Sequence, residues 1–341
     1  MPKVCVVQVV YNSRHYLKPV FEAIFAQSFK DLEVVAVISG NEDGGKEFLQ
    51  ANFPLVKIID PRFNIGFAQG HNLVFSQVNS EFFQLVNPDM IMEPNYIEEM
   101  LKVFTDKKVG AATGKLYKIA SDKFQETREK FNEEKSKFKI LDTTGVTISK
   151  SGRGRDRGQH ELDAEQYDKQ TLVQAVSAAG AMYRREALEA AKLLEISDKR
   201  QETRQIPKFE YFDEDFHSYW EDVDLAWRMS IAGWQCVFVP TAVGYHGRGA
   251  GSSRGGYGHF IDFVKHHQAL QPPIRQLNYK NHIFMYLKNS KWLYPQFFVR
   301  EFFMLLYILV FEFSTLKVLP EIFKLLPKMW KKRKYLLSLK I

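Results

Sequence analysis

The sequence predicts an α/β protein: a mostly parallel sheet flanked by helices, with a helical region toward its C-terminal end. Three observations carry this. Over the first hundred or so residues, short apolar β-branched runs alternate with helical patterns, as βαβ units do. Each run ends in a polar or turn-forming segment, where a parallel sheet opens onto its ligand crevice. Beyond residue 257 the chain turns helical and very aromatic.

Taken in order, strands are expected at about 3–10, 32–39, 55–60 and 81–86, with helices near 15–27, 43–51, 67–77 and 94–105. The segments after the strands are Tyr11-Asn12, Ser39-Gly40-Asn41, Asp60 and Asn87-Pro88-Asp89. Between 118 and 172 the pattern weakens, and the Gly/Arg-rich Ser151–Gly158 reads as a surface loop. A helix near 184–193 and a charged linker, 195–210, precede the densest group of informative residues, 211–251.

With 45% hydrophobic and 26% charged residues, the chain is neither disordered nor fibrous. Cys5 and Cys236 each sit inside an apolar run without a partner at metal-ligand spacing, which points to a reduced compartment without disulfides. The N-terminus enters Val4–Val10 directly, so no secretion signal is expected. The net charge of +7 is uneven: from residue 280 onward twelve basic residues face three acidic ones. A positive tail on a near-neutral body argues against nucleic acid as a partner.

Three places carry chemistry. Asp89 would emerge at the open end of a central strand, where one carboxylate suits a divalent ion gripping a diphosphate; Asn87-Pro88-Asp89 is also ordinary turn chemistry. Val223, Ala226, Trp227 and Ile231 form one face of a helix opened by Asp222 and stopped at Gly233. Asp222 could be only an N-cap, and Asp224 with Arg228 only an i,i+4 pair. Adjacent carboxylates at a helix start, Glu221-Asp222, can equally supply a base tuned by its surroundings. His246 follows the strand-like Cys236–Pro240. His266-His267 has no matching carboxylate and reads as structural.

Five segments in sequence order resemble the inverting GT-A (Rossmann-like) glycosyltransferases of family 2, above all the rhamnosyltransferase-like members. They are Val9-Val10-Tyr11-Asn12; Asn64-Ile65-Gly66-Phe67-Ala68-Gln69-Gly70-His71-Asn72; Asn87-Pro88-Asp89 with Pro94; Gly180-Ala181 with Arg184-Arg185; and Glu221-Asp222-Val223-Asp224-Leu225 with Arg228, Gly233-Trp234, Pro240 and His246. The stretch from Gly145 through Arg155-Asp156-Arg157-Gly158-Gln159 to Asp168 also resembles that subgroup. One departure is Ile38-Ser39-Gly40-Asn41-Glu42-Asp43, where the family usually has an acidic residue and an Asn-Ala-Ser run.

The resemblance implies a domain over 1–255, its donor half about 1–118 and its acceptor half about 119–255. Asp222 would be the general base, supported by Glu221, and Asp89 with His246 would hold Mg²⁺ or Mn²⁺. Val9, Tyr11, Asn12, Asn41, Asn64, Gly66, Asn72 and Asn87 would meet the nucleotide sugar; Gly180, Ala181, Trp220 and Arg228 would lie on the acceptor side. The subgroup favours dTDP-L-rhamnose, with UDP-sugars next. A nucleotide-sugar-binding scaffold without catalysis is the rival, opposed by retention of Asp89 and Glu221-Asp222.

Residues 256–341 read as a separate helical region. The apolar run Phe302–Phe311 covers about 15 Å as a helix, half of a hydrocarbon core, so an interfacial helix fits better than a span. Basic residues 328–334 between apolar anchors suit an anionic membrane surface. This places the protein in the cytoplasm, peripheral at the inner face of the cell membrane, near a lipid-linked glycan acceptor. A homodimer through these helices is the alternative use of the same stripe. On this reading, a chain ended near 280 would stay soluble and still hydrolyse donor.

Overall fold

The computed structural model describes residues 2–126, 128–194, 209–248 and 260–338. The donor half contains β1 (Val4–Val10), α1 (Arg14–Phe25), β2 (Leu32–Ile38), α2 (Gly45–Asn52), β3 (Lys57–Ile59), α3 (Gly66–Gln77), β4 (Phe82–Leu85), β5 (Met90–Met92), α4 (Tyr96–Val103) and β6 (Val109–Lys118). There follow α5 (Arg128–Glu134), β7 (Leu141–Thr143), β8 (Val146–Ile148), β9 (Gly154–Asp156), β10 (Thr171–Val173), β11 (Met182–Arg184) and α6 (Arg185–Ala191). Then come β12 (Leu193–Leu194), β13 (Phe209–Glu210), α7 (Glu221–Ile231) and β14 (Gln235–His246). The last helices are α8 (Phe260–Ala269), α9 (Pro272–Asn289), α10 (Pro295–Phe311) and α11 (Leu319–Ser338).

The expected α/β architecture is present, as one ten-stranded mixed sheet whose main path runs β10-β14-β6-β11-β4-β1-β2-β3. β1 pairs in parallel with β2 on one side and β4 on the other. β11 runs antiparallel between β4 and β6, and β14 is parallel to β6. All seven residues of β1 are buried, as a strand covered on both faces requires. Val4, Val6 and Val10 pack with α1 and α4, while Cys5, Val7 and Val9 pack with α3, α6 and α7. Both cysteines are buried and unpaired. The chain leaves β1 for β2 on one flank and reaches β4 on the other, so a crevice opens past their carboxyl ends.

The first four strands and helices lie where the sequence places them, with ends shifted by no more than three residues. The Gly/Arg-rich Ser151–Gly158 is a correction, since Gly154–Asp156 is β9 and forms a hairpin with β8 rather than a simple surface loop. Earlier in the weakly patterned 118–172, β7 pairs with β6, and Leu141, Asp142 and Thr143 are buried. Of the charged linker, 195–208 lies outside the described residues, and β13 pairs with β12.

The C-terminal helices are not an appendage. Tyr279, Phe284, Met285, Ile322 and Met329 belong to the same apolar cluster as Val223, Leu225 and Met229 of α7. The basic run at 328–334 is likewise only partly outward. Lys332 and Arg333 are buried, with Lys332 reaching Asp213 at 2.6 Å and Asp215 at 2.9 Å and Lys328 reaching Asp215 at 2.7 Å. Lys288 of α9 binds Asp213 and, at 2.8 Å, Asp224. No single described helix is long and apolar enough to cross a membrane; α10 with the following Phe313–Ser338 passes on length and composition together but bends by 120°.

Candidate active site

The carboxyl ends of β4 and β14 lie at the same edge of the sheet, which joins two residues far apart in sequence. Asp89 follows β4 and His246 ends β14; Asp89 Oδ1 is 3.2 Å from His246 Nε2. His246 Nδ1 faces Asp142 Oδ2 at 2.8 Å, Arg248 Nε donates to Asp142 Oδ1 at 2.7 Å, and Arg248 continues to Asp156 at 2.6 Å. Burial alone would lower the imidazole's proton affinity, but Asp89 and Asp142 outweigh it and raise its pKa to about 10. Burial would raise Asp142, yet Arg248 and His246 bring it down to about 2. Asn87 Nδ2 stands 3.5 Å from His246 Nε2.

The carboxylate and imidazole therefore converge on one point. Asp142 fixes Nδ1, as residues behind a metal's ligands commonly do, and a cation bound here would take the place of the Nε2 proton that faces Asp89. A donor set of one oxygen and one nitrogen, with further positions for phosphate and water, fits Mg²⁺ or Mn²⁺. Glu210, Asp213 and Asp215 also bring oxygens within 4.8 Å of one another. That group does not fit a cation, because Lys288, Lys328 and Lys332 already neutralise it. Burial and then Asp213 raise Glu210 to about 7.

The second half of the site is the entry to α7. The helix begins at Glu221 rather than being capped by Asp222: Trp220 precedes it at φ 73°, after His217 at 61° and Tyr219 at 72°. Left-handed non-glycine backbone costs about 1–3 kcal/mol per residue and persists only where the surroundings impose it. Here α9 imposes it. Asn281 Nδ2 donates toward the carbonyls of Phe216, Ser218 and Tyr219 at 2.9, 2.8 and 2.9 Å, and Trp220 Nε1 donates to Asn278 at 3.0 Å. From the donor side, Ala68 N donates to His217 O at 3.1 Å. Gly66 (φ 76°) is needed beneath it, since a Cβ there would stand 2.5 Å from His217 Nδ1.

This turn presents Asp222, half-buried, with Oδ2 accepting from Ala178 N at 3.0 Å and Oδ1 from Val223 N at 2.8 Å. Burial raises its pKa despite those two donors. Glu221 is buried, its Oε2 has no hydrogen-bond partner among the described residues, and burial followed by the Asp222 charge pushes its carboxyl well up. Burial raises the Tyr219 hydroxyl, and the charges of Glu221 and Asp89, one from each half of the site, add to it.

The glycosyl transferase family 2 model matches residues 5–191, more than half of the chain. The chain belongs to glycosyl transferase family 2. It is 26% identical over 119 residues to glycosyltransferase GlyA of Streptococcus pneumoniae, covering 34% of this chain and 17% of that protein. It is 25% identical over 125 residues to an uncharacterized glycosyltransferase of Haemophilus influenzae, covering 36% and 39%. These matches span well under half the length of either relative. Among solved structures, GalNAc-T7 with UDP, GalNAc and Mn²⁺ superposes with a TM-score of 0.55 at 10% identity, over 88% of this chain and 50% of that one. That likeness is one of fold, and the fold is GT-A.

In this family 2 glycosyltransferase the remaining candidates divide by where their polar atoms go. Tyr11 is exposed at the crevice, Asn12 bonds Glu42 at 3.0 Å, and Val9 packs against Gly70. Asn64 accepts from Gly66 N at 2.9 Å and so shapes the donor-side turn. The carboxamide of Asn41 is taken by Glu47 and Lys46 N, and that of Asn72 by Phe212 and Glu214; both brace the scaffold. Arg228 is a correction: expected on the acceptor side, it is buried and ties Asp224 to the carbonyls of Ala191 and Tyr211. Gly180 and Ala181 are also buried, their carbonyls accepting from Gln84 and Leu85 N. Trp220 remains partly exposed beside Asp222. Sequence reasoning missed Asp142, Arg248, Tyr219 and Asn281; only Arg248, in its Gly-Arg-Gly setting, carried a visible signal.

Proposed function

We propose that the chain is a metal-dependent, inverting glycosyltransferase that moves a sugar from a nucleoside diphosphate to an acceptor hydroxyl. The observation that supports this best is the presence, in one crevice, of a half-buried carboxylate of raised proton affinity, Asp222, and the converging Asp89 and His246. Asp222 takes the acceptor proton while the acceptor oxygen bonds the anomeric carbon from the face opposite the diphosphate. The bond to the diphosphate breaks with its electron pair, and the nucleoside diphosphate leaves. Held by Asp89 and His246, Mg²⁺ or Mn²⁺ would supply Lewis-acid stabilisation of the departing charge. The subgroup resemblance favours L-rhamnose from dTDP-L-rhamnose, with a UDP-sugar as the alternative.

Asp222→Asn tests the base. Transfer is expected to fall roughly 10²–10⁴-fold with donor affinity and melting temperature retained. Transfer within about threefold of wild type would assign the proton to another group. Asp89→Ala should weaken donor binding in calorimetry with Mn²⁺ but not with chelator, and His246→Ala should do so less strongly. Equal weakening under both conditions would leave Asp89 a turn residue.

The same reading places the enzyme on the inner face of the membrane, acting on a lipid-linked glycan. Phe302, Phe303, Leu306 and Val310 of α10 are exposed, and on α11 the exposed Phe323-Lys324 recurs one heptad later as Trp330-Lys331. An apolar anchor beside an exposed lysine at each repeat suits an anionic lipid surface. Sedimentation with anionic liposomes, weakened by salt, is expected. A concentration-dependent dimer without lipid binding would assign the stripe to a second copy instead.

A further inference from the structure

We infer that Arg248 is a positioning residue that couples the Asp89/His246 centre, through the β8–β9 hairpin, to the turn carrying Asp222. The join is built from segments far apart in sequence. Arg248 Nε donates to Asp142 Oδ1 at 2.7 Å, on the carboxylate whose other oxygen faces His246 Nδ1 at 2.8 Å. Its Nη2 donates to Asp156 Oδ2 at 2.6 Å, at the end of β9. A planar guanidinium can hold two carboxylates at a fixed spacing, which a lysine ammonium on its flexible stem does not. Asp142 is fully buried, and Arg248 sits at φ 48°, a left-handed conformation that a non-glycine residue keeps only where its surroundings impose it. One residue earlier, Gly247 N donates to Asp89 O at 2.8 Å, so the segment is fastened beside both proposed cation ligands.

The other end of the bridge bears on the base. Gly154 and Asp156 alternate with Arg155 along β9 and so face the same side of it. A Cβ at Gly154 would stand 3.2 Å from Trp220 and 3.7 Å from Val223, the residues on either side of Glu221-Asp222. β9 pairs with β8, where Val146 exchanges backbone hydrogen bonds with Ala175 at 2.8 and 3.1 Å. A few residues on, Ala178 N donates to Asp222 Oδ2 at 3.0 Å. Burial raises the Asp222 carboxyl, and the charge of Asp156 adds to it. The hairpin thus meets the surroundings of Asp222 by two routes, and Arg248 sets how far that hairpin stands from His246. In an in-line displacement the departing diphosphate and the attacking hydroxyl lie on opposite sides of the anomeric carbon, so the spacing of the two halves is what must be held.

The inference rests on the transferase reading, and the experiment separates the two. Mn²⁺ is added with UDP, GDP or dTDP to the full chain, affinity is read by calorimetry, and hydrogen exchange is followed in β8–β9 and in the turn before Asp222. Hydrolysis of UDP-galactose, UDP-N-acetylglucosamine, GDP-mannose and dTDP-L-rhamnose supplies kcat and KM. Binding should slow exchange in both segments of the wild type. Asp156→Ala, which leaves Asp142 paired with Arg248, should keep affinity and KM within about twofold, lose that slowing and lower kcat about tenfold or more. Arg248→Lys should also lower kcat about tenfold or more, and adding Asp156→Ala to it should cost little further. A merely structural role would lower the melting temperature and leave kcat and the ligand-induced slowing in place. Wild-type kcat in Asp156→Ala, or slowing that persists in it, overturns the coupling and leaves the transferase standing. Slowing that Asp156→Ala removes, in a chain that hydrolyses none of these donors, keeps the coupling and sinks the transferase. A chain that binds no nucleotide with Mn²⁺ overturns both.

Discussion

Glu221 and Asp222 are neighbours in the chain with unequal surroundings. Two backbone N–H groups stabilise the Asp222 carboxylate, whereas Glu221 has a buried oxygen with no partner among the described residues. Glu221 therefore keeps its proton longer, and Asp222 is the one of the pair that ionises first, as the proposed base must. A carboxyl raised by folding binds more protons folded than unfolded, so Glu221 lowers stability as pH climbs from its unfolded value toward its folded one. Glu221→Gln, which copies the neutral form, should raise the melting temperature by about 2 °C or more at pH 8 and less at pH 5. The acid limb of the transfer rate should lie above the ordinary aspartate value of about 3.9, because burial raises Asp222, and should stay in place in this variant. A loss of transfer as large as that of Asp222→Asn would make Glu221 the base.

At the scale of elements, the turn into α7 is set by α9. Asn281→Ala removes the donor shared by three carbonyls, and kcat is expected to fall about tenfold or more with donor KM nearly unchanged, since small misplacements of a base are costly. A rise in donor KM at constant kcat would show that the turn serves the donor instead. This turn also marks where sequence reading stopped. β1, β4 and β14 were legible because buried β-branched and aromatic runs have few other uses, and Gly233 at φ 88° ends α7 as expected. Asp222 looked like a cap because Asp favours that position; the left-handed entry that displaces it depends on an amide 62 to 65 residues later, which no local pattern encodes. Asp142 was hidden for the same reason: it meets His246 104 residues away.

For the whole molecule, charge joins the C-terminal helices to the sheet domain. Glu210, Asp213, Asp215 and Asp224 are matched by Lys288, Lys328, Lys332 and Arg228. Removing one partner of a buried pair typically costs about 3–5 kcal/mol, so Lys332→Met should lower unfolding free energy by that order in urea titrations. A loss under about 1 kcal/mol would mean that water reaches Asp213. A chain ended after residue 279 would lose three of the four cations together with Asn281, and it should aggregate rather than hydrolyse donor, against the expectation from sequence. The clamp on the α7 turn also has a consequence in time. Translation delivers the strands, Asp89, Asp222 and His246 before it delivers Asn281. At roughly 5–20 residues per second, the stretch between Asp222 and Asn281 takes about 3–12 s to synthesise. During that interval the turn that presents Asp222 has no α9 to hold it, so the site proposed for transfer is completed only once the C-terminal helices have been made.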